Sequence, residues 1–158
     1  MQQKAMIFIT GLVTGILLSF LVIFLTVPKM LFTVSESNYN FTETIERIEQ
    51  SVQENNWSMP HQYNLQATLS KHGFEVKPVR VFSICKPDLA ARLLTGDADR
   101  QLSAMMPCRI AIFEKSDGKT YITRINAGLL SKLLGAHAKA VMGEAGEGSE
   151  EILAPLID

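Results

Sequence analysis

The sequence is short of the residues that most often carry chemistry. Only two cysteines and three histidines occur among 158 residues. Cys85 and Cys108 are far apart, with no Cys-x-x-Cys, and His61, His72 and His137 have no ligand spacing among themselves. Gly-x-Ser-x-Gly elbows, phosphate-cradling Gly-rich loops, His-Glu-x-x-His pairs and dinucleotide fingerprints are all missing, so no catalytic constellation stands out and a non-catalytic protein is expected. Basic residues are not in excess either: the formal net charge is -1 and no basic stripe runs along the chain, which argues against a nucleic-acid partner. Internal repeats and low-complexity tracts are also absent.

One absence is itself a positive signal, because residues 5–27 contain no charged side chain. At about 1.5 Å per residue this run makes about 34 Å of helix, enough for a hydrocarbon layer of roughly 30 Å. A cleaved signal would have a shorter apolar core and a small-x-small cleavage site, and Val27-Pro28-Lys29-Met30 supplies none. The reading is a retained single-pass anchor in the inner (cytoplasmic) membrane, with residues 1–4 as a short inner tail. The soluble part then lies on the periplasmic or extracellular side. Lys4 and Lys29 flank the run on opposite sides, so the positive-inside rule decides orientation only weakly. Gly11, Gly15 and Ser19 recur every fourth residue and line one helix face, which fits either a close-packed homodimer or the ordinary frequency of glycine in membrane spans.

The rest is the size of one domain. Residues 28–40 read as a tether, residues 41–142 as a single α+β domain, and residues 143–158 as a flexible acidic linker with a short last helix. Phe41, Ile45, Ile48 and Val52 repeat with helical spacing, and Asn40 is placed to cap their helix. A second helix is expected at Leu65, Leu69 and His72, capped by Asn64 and stopped by Gly73. A short extended piece is expected at residues 57–59, before Pro60. Residues 79–85 alternate with period two and are apolar on both faces, which predicts a strand paired on both sides. Pro87 suits the first turn of the helix that follows, with Leu89 and Leu93 inward.

Residues 109–115 and 119–125 flank Ser116-Asp117-Gly118, a strong hairpin signal. Taking Asp117-Gly118 as a two-residue loop puts Ile110 opposite Ile125. One face then carries Cys108, Ile110, Ile112 and Ile125, the expected core side. Arg109, Phe113, Ile122, Arg124 and Asn126 fall on the other. Asn126 also caps a helix whose Leu129, Leu130, Leu133 and Leu134 form a dense apolar side. The fold class expected is α+β, a small mainly antiparallel sheet with helices packed on one face, preceded by a transmembrane helix.

Three accounts of the cysteines stay open. Both fall on expected core faces, where free Cys packs as a small hydrophobe. A there-and-back path between the strands would instead bring both sulfurs to one end of the sheet, where an oxidising compartment favours a disulfide or redox couple, and closing that loop would stabilise by roughly 3 kcal/mol. Cys85 also precedes a helix start, which lowers a thiol pKa. In the third account Met105 and Met106 join Cys108 and Cys85 as ligands for a soft ion such as Cu(I). No other cofactor is expected. Arg109 and Arg124, with Asn126 beside them, form a candidate anion site. Beyond the lipid bilayer, the ligand or protein partner is not encoded in any motif.

The segments Ile84-Cys85-Lys86-Pro87, Met106-Pro107-Cys108-Arg109-Ile110 and Glu114-Lys115-Ser116-Asp117-Gly118-Lys119, followed by Asn126, resemble a prokaryotic family catalogued as domain of unknown function 302. The resemblance covers about residues 41–134. It implies a small α+β domain, often exported or anchored, with no established activity. Lys86 stands where the resemblance leads us to expect Asn.

Overall fold

The computed structural model describes residues 2–157, with side chains from Met6 onward except those of Ile7, Phe8 and Thr10. Expectations about Met1, the Lys4 side chain and Asp158 lie outside the described residues. The chain divides into two compact units, one ending at Phe32 and one beginning at Thr33.

The first unit is helix α1, Gln2–Met30. Within it the 20 residues Gly11–Met30 have a mean hydropathy of 2.3 and include no buried residue, so the helix is long and apolar enough to cross a membrane. It also takes in Pro28 and Lys29, so the helix replaces the start of the expected tether.

Strand β1, Phe32–Glu36, replaces the rest. Its inward positions are polar because Ser35 accepts a hydrogen bond from Arg124, which hides the period-two signal of a buried strand. The other elements are α2 (Phe41–Glu54), β2 (Ser58–Asn64), α3 (Leu65–Ser70), β3 (Val79–Cys85), α4 (Pro87–Leu94), a 3-10 segment (Arg100–Met105), β4 (Cys108–Glu114), β5 (Thr120–Ile125), α5 (Ala127–Ser131) and α6 (Ala136–Leu153). The described strands form one five-stranded sheet in the order β1-β5-β4-β3-β2. Strand β3 is antiparallel to both β2 and β4. Strand β2 carries Pro60, which an edge position tolerates because one side of the strand needs no ladder donor. Its pairing is also irregular between Ser58 and His61, so the expected short piece is a full strand.

The hairpin register differs from the expected one by one residue. Ile110 pairs with Arg124 and Ile112 with Ile122. The loop has three residues rather than two: Gly118 N–H donates to the Lys115 carbonyl, Lys115 N–H to the Lys119 carbonyl, and Gly118 sits at φ +78°. That is a turn closed by a left-handed glycine bulge, and the extra residue reverses both faces of β5. Ile122 is therefore fully buried and Ile125 exposed.

The core lies on the face of Phe82, Ile84, Ile110, Ile112 and Ile122, which meet Ile48 and Val52 from α2 and Val141, Ile152 and Leu153 from α6 in one cluster. Asn40 accepts from Glu43 N–H at 3.0 Å to cap α2. The Ser51 hydroxyl donates to the Ile152 carbonyl at 2.7 Å, tying α2 to the end of α6.

Helix α6 overturns the expected linker. Gly143, Gly146 and Gly148 all lie inside it. A Cβ on Gly146 would stand 2.9 Å from the Ala127 Cβ, and one on Gly148 2.8 Å from Cζ2 of Trp57. Gly146 and Gly148 are where α5 and Trp57 press against the helix backbone, a packing role rather than a flexible one. Helix α5 stops at Ser131, and Leu133 is 79% exposed, so the expected four-leucine face is not formed.

Candidate functional site

Two helical segments fold back over one end of the sheet between β3 and β4. Strand β3 ends at Cys85, α4 leads away from Pro87, and the 3-10 segment returns to Met105 before β4 begins at Cys108. Ile84 pairs with Cys108, so the two cysteines are one residue out of step at the same end of neighbouring strands. Both are free thiols. With Met105, Met106, Trp57 and Met142 they line an apolar chamber of about 30 Å³. The four sulfur residues singled out in the sequence thus line one chamber.

Their placement corrects two expectations. Cys108 alternates with Ile110 and Ile112 on the core face, but Cys85 alternates with Ser83 and Val81 on the opposite one. The Cys85 thiol is also pushed up rather than down: burial disfavours its thiolate, and the Asp88 carboxylate in the first turn of α4 adds to this. Burial raises the Cys108 thiol as well, with a further contribution from Cys85. Both thiols are therefore protonated at neutral pH, the poorer state for a nucleophile.

Next to the chamber, and sharing Met105, Met106, Pro107, Cys108, Met142 and Ala145 with it, is a cleft of about 390 Å³. Its remaining wall comes from Leu130 and Ala127 of α5, Gly146 and Ser149 of α6, and Arg109, Arg124 and Ile125 at the strand ends. Asn126 shapes this wall by accepting from Leu129 N–H at 2.9 Å, which caps α5. The contributions of α5 and α6 were missed in the sequence; the signal was the run of small residues 143–149, read as a linker.

Arg109 and Arg124 do not form an anion site on one face. Because of the register shift, Arg124 points to the core side and is 6% exposed, whereas Arg109 is exposed and holds its guanidinium 5.4 Å from the Tyr63 ring centroid. Arg124 is already satisfied: its Nε and second terminal nitrogen donate to the two Glu150 oxygens, and its other nitrogen donates to Ser35 at 2.8 Å. Nothing in the pattern of the strand names Glu150 as the partner. In α1, the Gly11, Gly15 and Ser19 side of the helix is exposed, and the Ser19 hydroxyl donates to the Gly15 carbonyl at 2.9 Å. Among the described residues no group of three or more His, Cys, Asp or Glu side chains gathers as metal ligands.

Comparison with solved structures finds a similar fold in the crystal structure of the uncharacterized conserved protein DUF302 from Bacillus stearothermophilus. The TM-score is 0.71 at 20% sequence identity, over 79% of this chain and 97% of that one. At that identity the likeness is one of fold. No curated protein matches the sequence. The family model described as domain of unknown function DUF302 matches residues 33–156, nearly all of the second unit. The chain belongs to the DUF302 family.

Proposed function

We propose that this chain is a membrane-anchored binding module, with α1 crossing the cytoplasmic membrane once and the α+β domain holding a small apolar ligand on the outer side without turning it over. The observation that carries the reading is the cleft beside Met105 and Met106. Its volume, about 390 Å³, falls in the range of about 300–1,000 Å³ usual for small-molecule sites, and its lining is mostly aliphatic side chains with a few polar groups at the edge. The apolar run of α1, with no buried residue over Gly11–Met30, supports the anchor. Two measurements test the reading. Alkaline carbonate should leave the full chain in the membrane pellet, and protease added to intact spheroplasts should digest the domain. Titration of the purified full chain with an apolar fluorescent probe should saturate, and Leu130→Glu should abolish the signal. Non-saturable binding unaffected by Leu130→Glu would reject the cleft as a site.

A second reading is favoured by the four sulfur residues that line one chamber: Cys85 and Cys108 would bind Cu(I) as thiolates, with Met105 or Met106 as a thioether ligand. Binding would release two protons, so affinity would rise with pH. Competition with a Cu(I) chelator tests it. Equal affinity in the wild type and in a Cys85→Ser, Cys108→Ser double variant would reject it.

A further inference from the structure

We infer that the ligand of the cleft is the acyl chain of a bilayer lipid, delivered because the chain enters the domain at the cleft end of the sheet. The inference rests on the membrane-anchored binding reading and names its ligand class.

The first observation is where the chain enters. Ser37 N–H donates to the Thr120 carbonyl, and Arg124 donates to Ser35, so β1 runs opposite to β5 and begins beside the end of β5. Thr33 lines an open groove together with Ile125, Asn126, Ala127, Gly146 and Ser149. Of these, Ile125, Ala127, Gly146 and Ser149 also line the cleft. The entry point and the cleft are thus continuous along one wall within the domain.

The second observation needs only chain length. Helix α1 ends at Met30, and Leu31 and Phe32 are the residues between it and Thr33. Three Cα steps span at most about 11 Å whatever angle the chain takes. Connectivity alone therefore keeps Thr33, a residue of the groove wall, within about that reach of the end of α1. A longer tether would have freed the domain from the surface. This one is short enough to raise the effective concentration of bilayer lipid around the domain.

The third is chemical. The cleft lies against Met105, Met106 and Met142, flexible thioether side chains that adapt to an unbranched apolar chain.

Trp57 provides the test. It is the single tryptophan of the chain, and it lines the chamber that shares a wall with the cleft. The full chain is reconstituted in vesicles of phosphatidylcholine with brominated acyl chains and compared with unbrominated vesicles. Trp57 emission should fall in the brominated vesicles, and Leu130→Glu should restore it. Inserting about 20 Gly/Ser residues after Leu31 should weaken the quenching, because effective concentration falls as a flexible linker lengthens. In parallel, a water-soluble brominated fatty acid is titrated onto the protein in unbrominated vesicles. Saturable quenching by the soluble probe with none from the brominated bilayer would overturn the lipid inference and leave the binding reading standing. Quenching by neither would overturn both. Bilayer quenching that survives Leu130→Glu or the inserted linker would also overturn the inference, since it would not come from a tethered cleft.

Discussion

Arg124 on β5 is clamped by Glu150 on α6, two nitrogens facing two carboxylate oxygens across the end of the core. The guanidinium is buried while the carboxylate is half-exposed, so the arginine depends on the pair far more than the glutamate does. Removing Glu150 leaves a buried charge with Ser35 as its remaining partner. Glu150→Ala should destabilise by about 2 kcal/mol, below the range for a fully buried pair because water screens the outer partner. Arg124→Met together with Glu150→Ala should recover part of that loss. Urea midpoints of the two variants check this, and a double variant no more stable than Glu150→Ala would contradict it.

Gly148 offers a test in which the sign decides. In an exposed helix interior Gly→Ala stabilises by about 1 kcal/mol. At this position the new methyl group would meet Trp57 at 2.8 Å, and the indole is buried in the core. Gly148→Ala should therefore destabilise, by about 1–3 kcal/mol, as overpacking does. It should also shift Trp57 emission, the sole indole signal. Gly143→Ala is the control: a Cβ there finds open space, and stability should rise or stay unchanged.

The same contrast explains what could be read from the sequence. Helix α2 was legible because its stripe of Phe41, Ile45, Ile48 and Val52 faces the core and Asn40 caps it through its own side chain. Strand β3 was legible because it is covered on both edges and apolar on both faces. The edge strands were not: β1 turns Ser35 inward to serve Arg124, and β2 carries Pro60, so neither shows the pattern of a buried strand. Helix α6 was hidden because two of its glycines, Gly146 and Gly148, answer to neighbours distant in sequence, Ala127 and Trp57. In the site, the shared location of Cys85, Cys108, Met105 and Met106 followed from a there-and-back path that local signals support. The arginine pair failed on one residue of loop length.

The added residue is Ser116, and the longer loop closes on Gly118, whose φ of +78° an L side chain adopts only with strain. Gly118→Ala should cost about 1 kcal/mol. Asp117→Asn should cost less, since Asn can still accept the Lys119 N–H bond that the Asp117 carboxylate now receives at 2.9 Å. Thermal melts of the two variants give the order. If Gly118→Ala were as stable as the wild type, the left-handed bulge and the register it sets would be wrong.

Cys108 makes stability depend on alkaline pH in a defined direction. Burial raises its thiol above the ordinary value of about 9 that it has in the unfolded chain. The folded form therefore keeps its proton where the unfolded form has lost it. Linkage gives the sign: between the two pKa values the folded state binds more protons, so stability falls as pH rises. The contribution is fully present below about pH 9 and is lost as pH climbs through the raised folded value. Lysines and tyrosines titrate in the same region, so the wild-type curve alone does not isolate the thiol. The difference between wild type and Cys108→Ala does. Below pH 8 the variant should be less stable by a constant amount, set by lost packing. Above pH 9 the gap should narrow, because the wild type alone loses the thiol contribution. A gap that stays constant from pH 7 to pH 10.5 in urea titrations would mean that the Cys108 sulfur is as well solvated in the folded domain as in the unfolded chain.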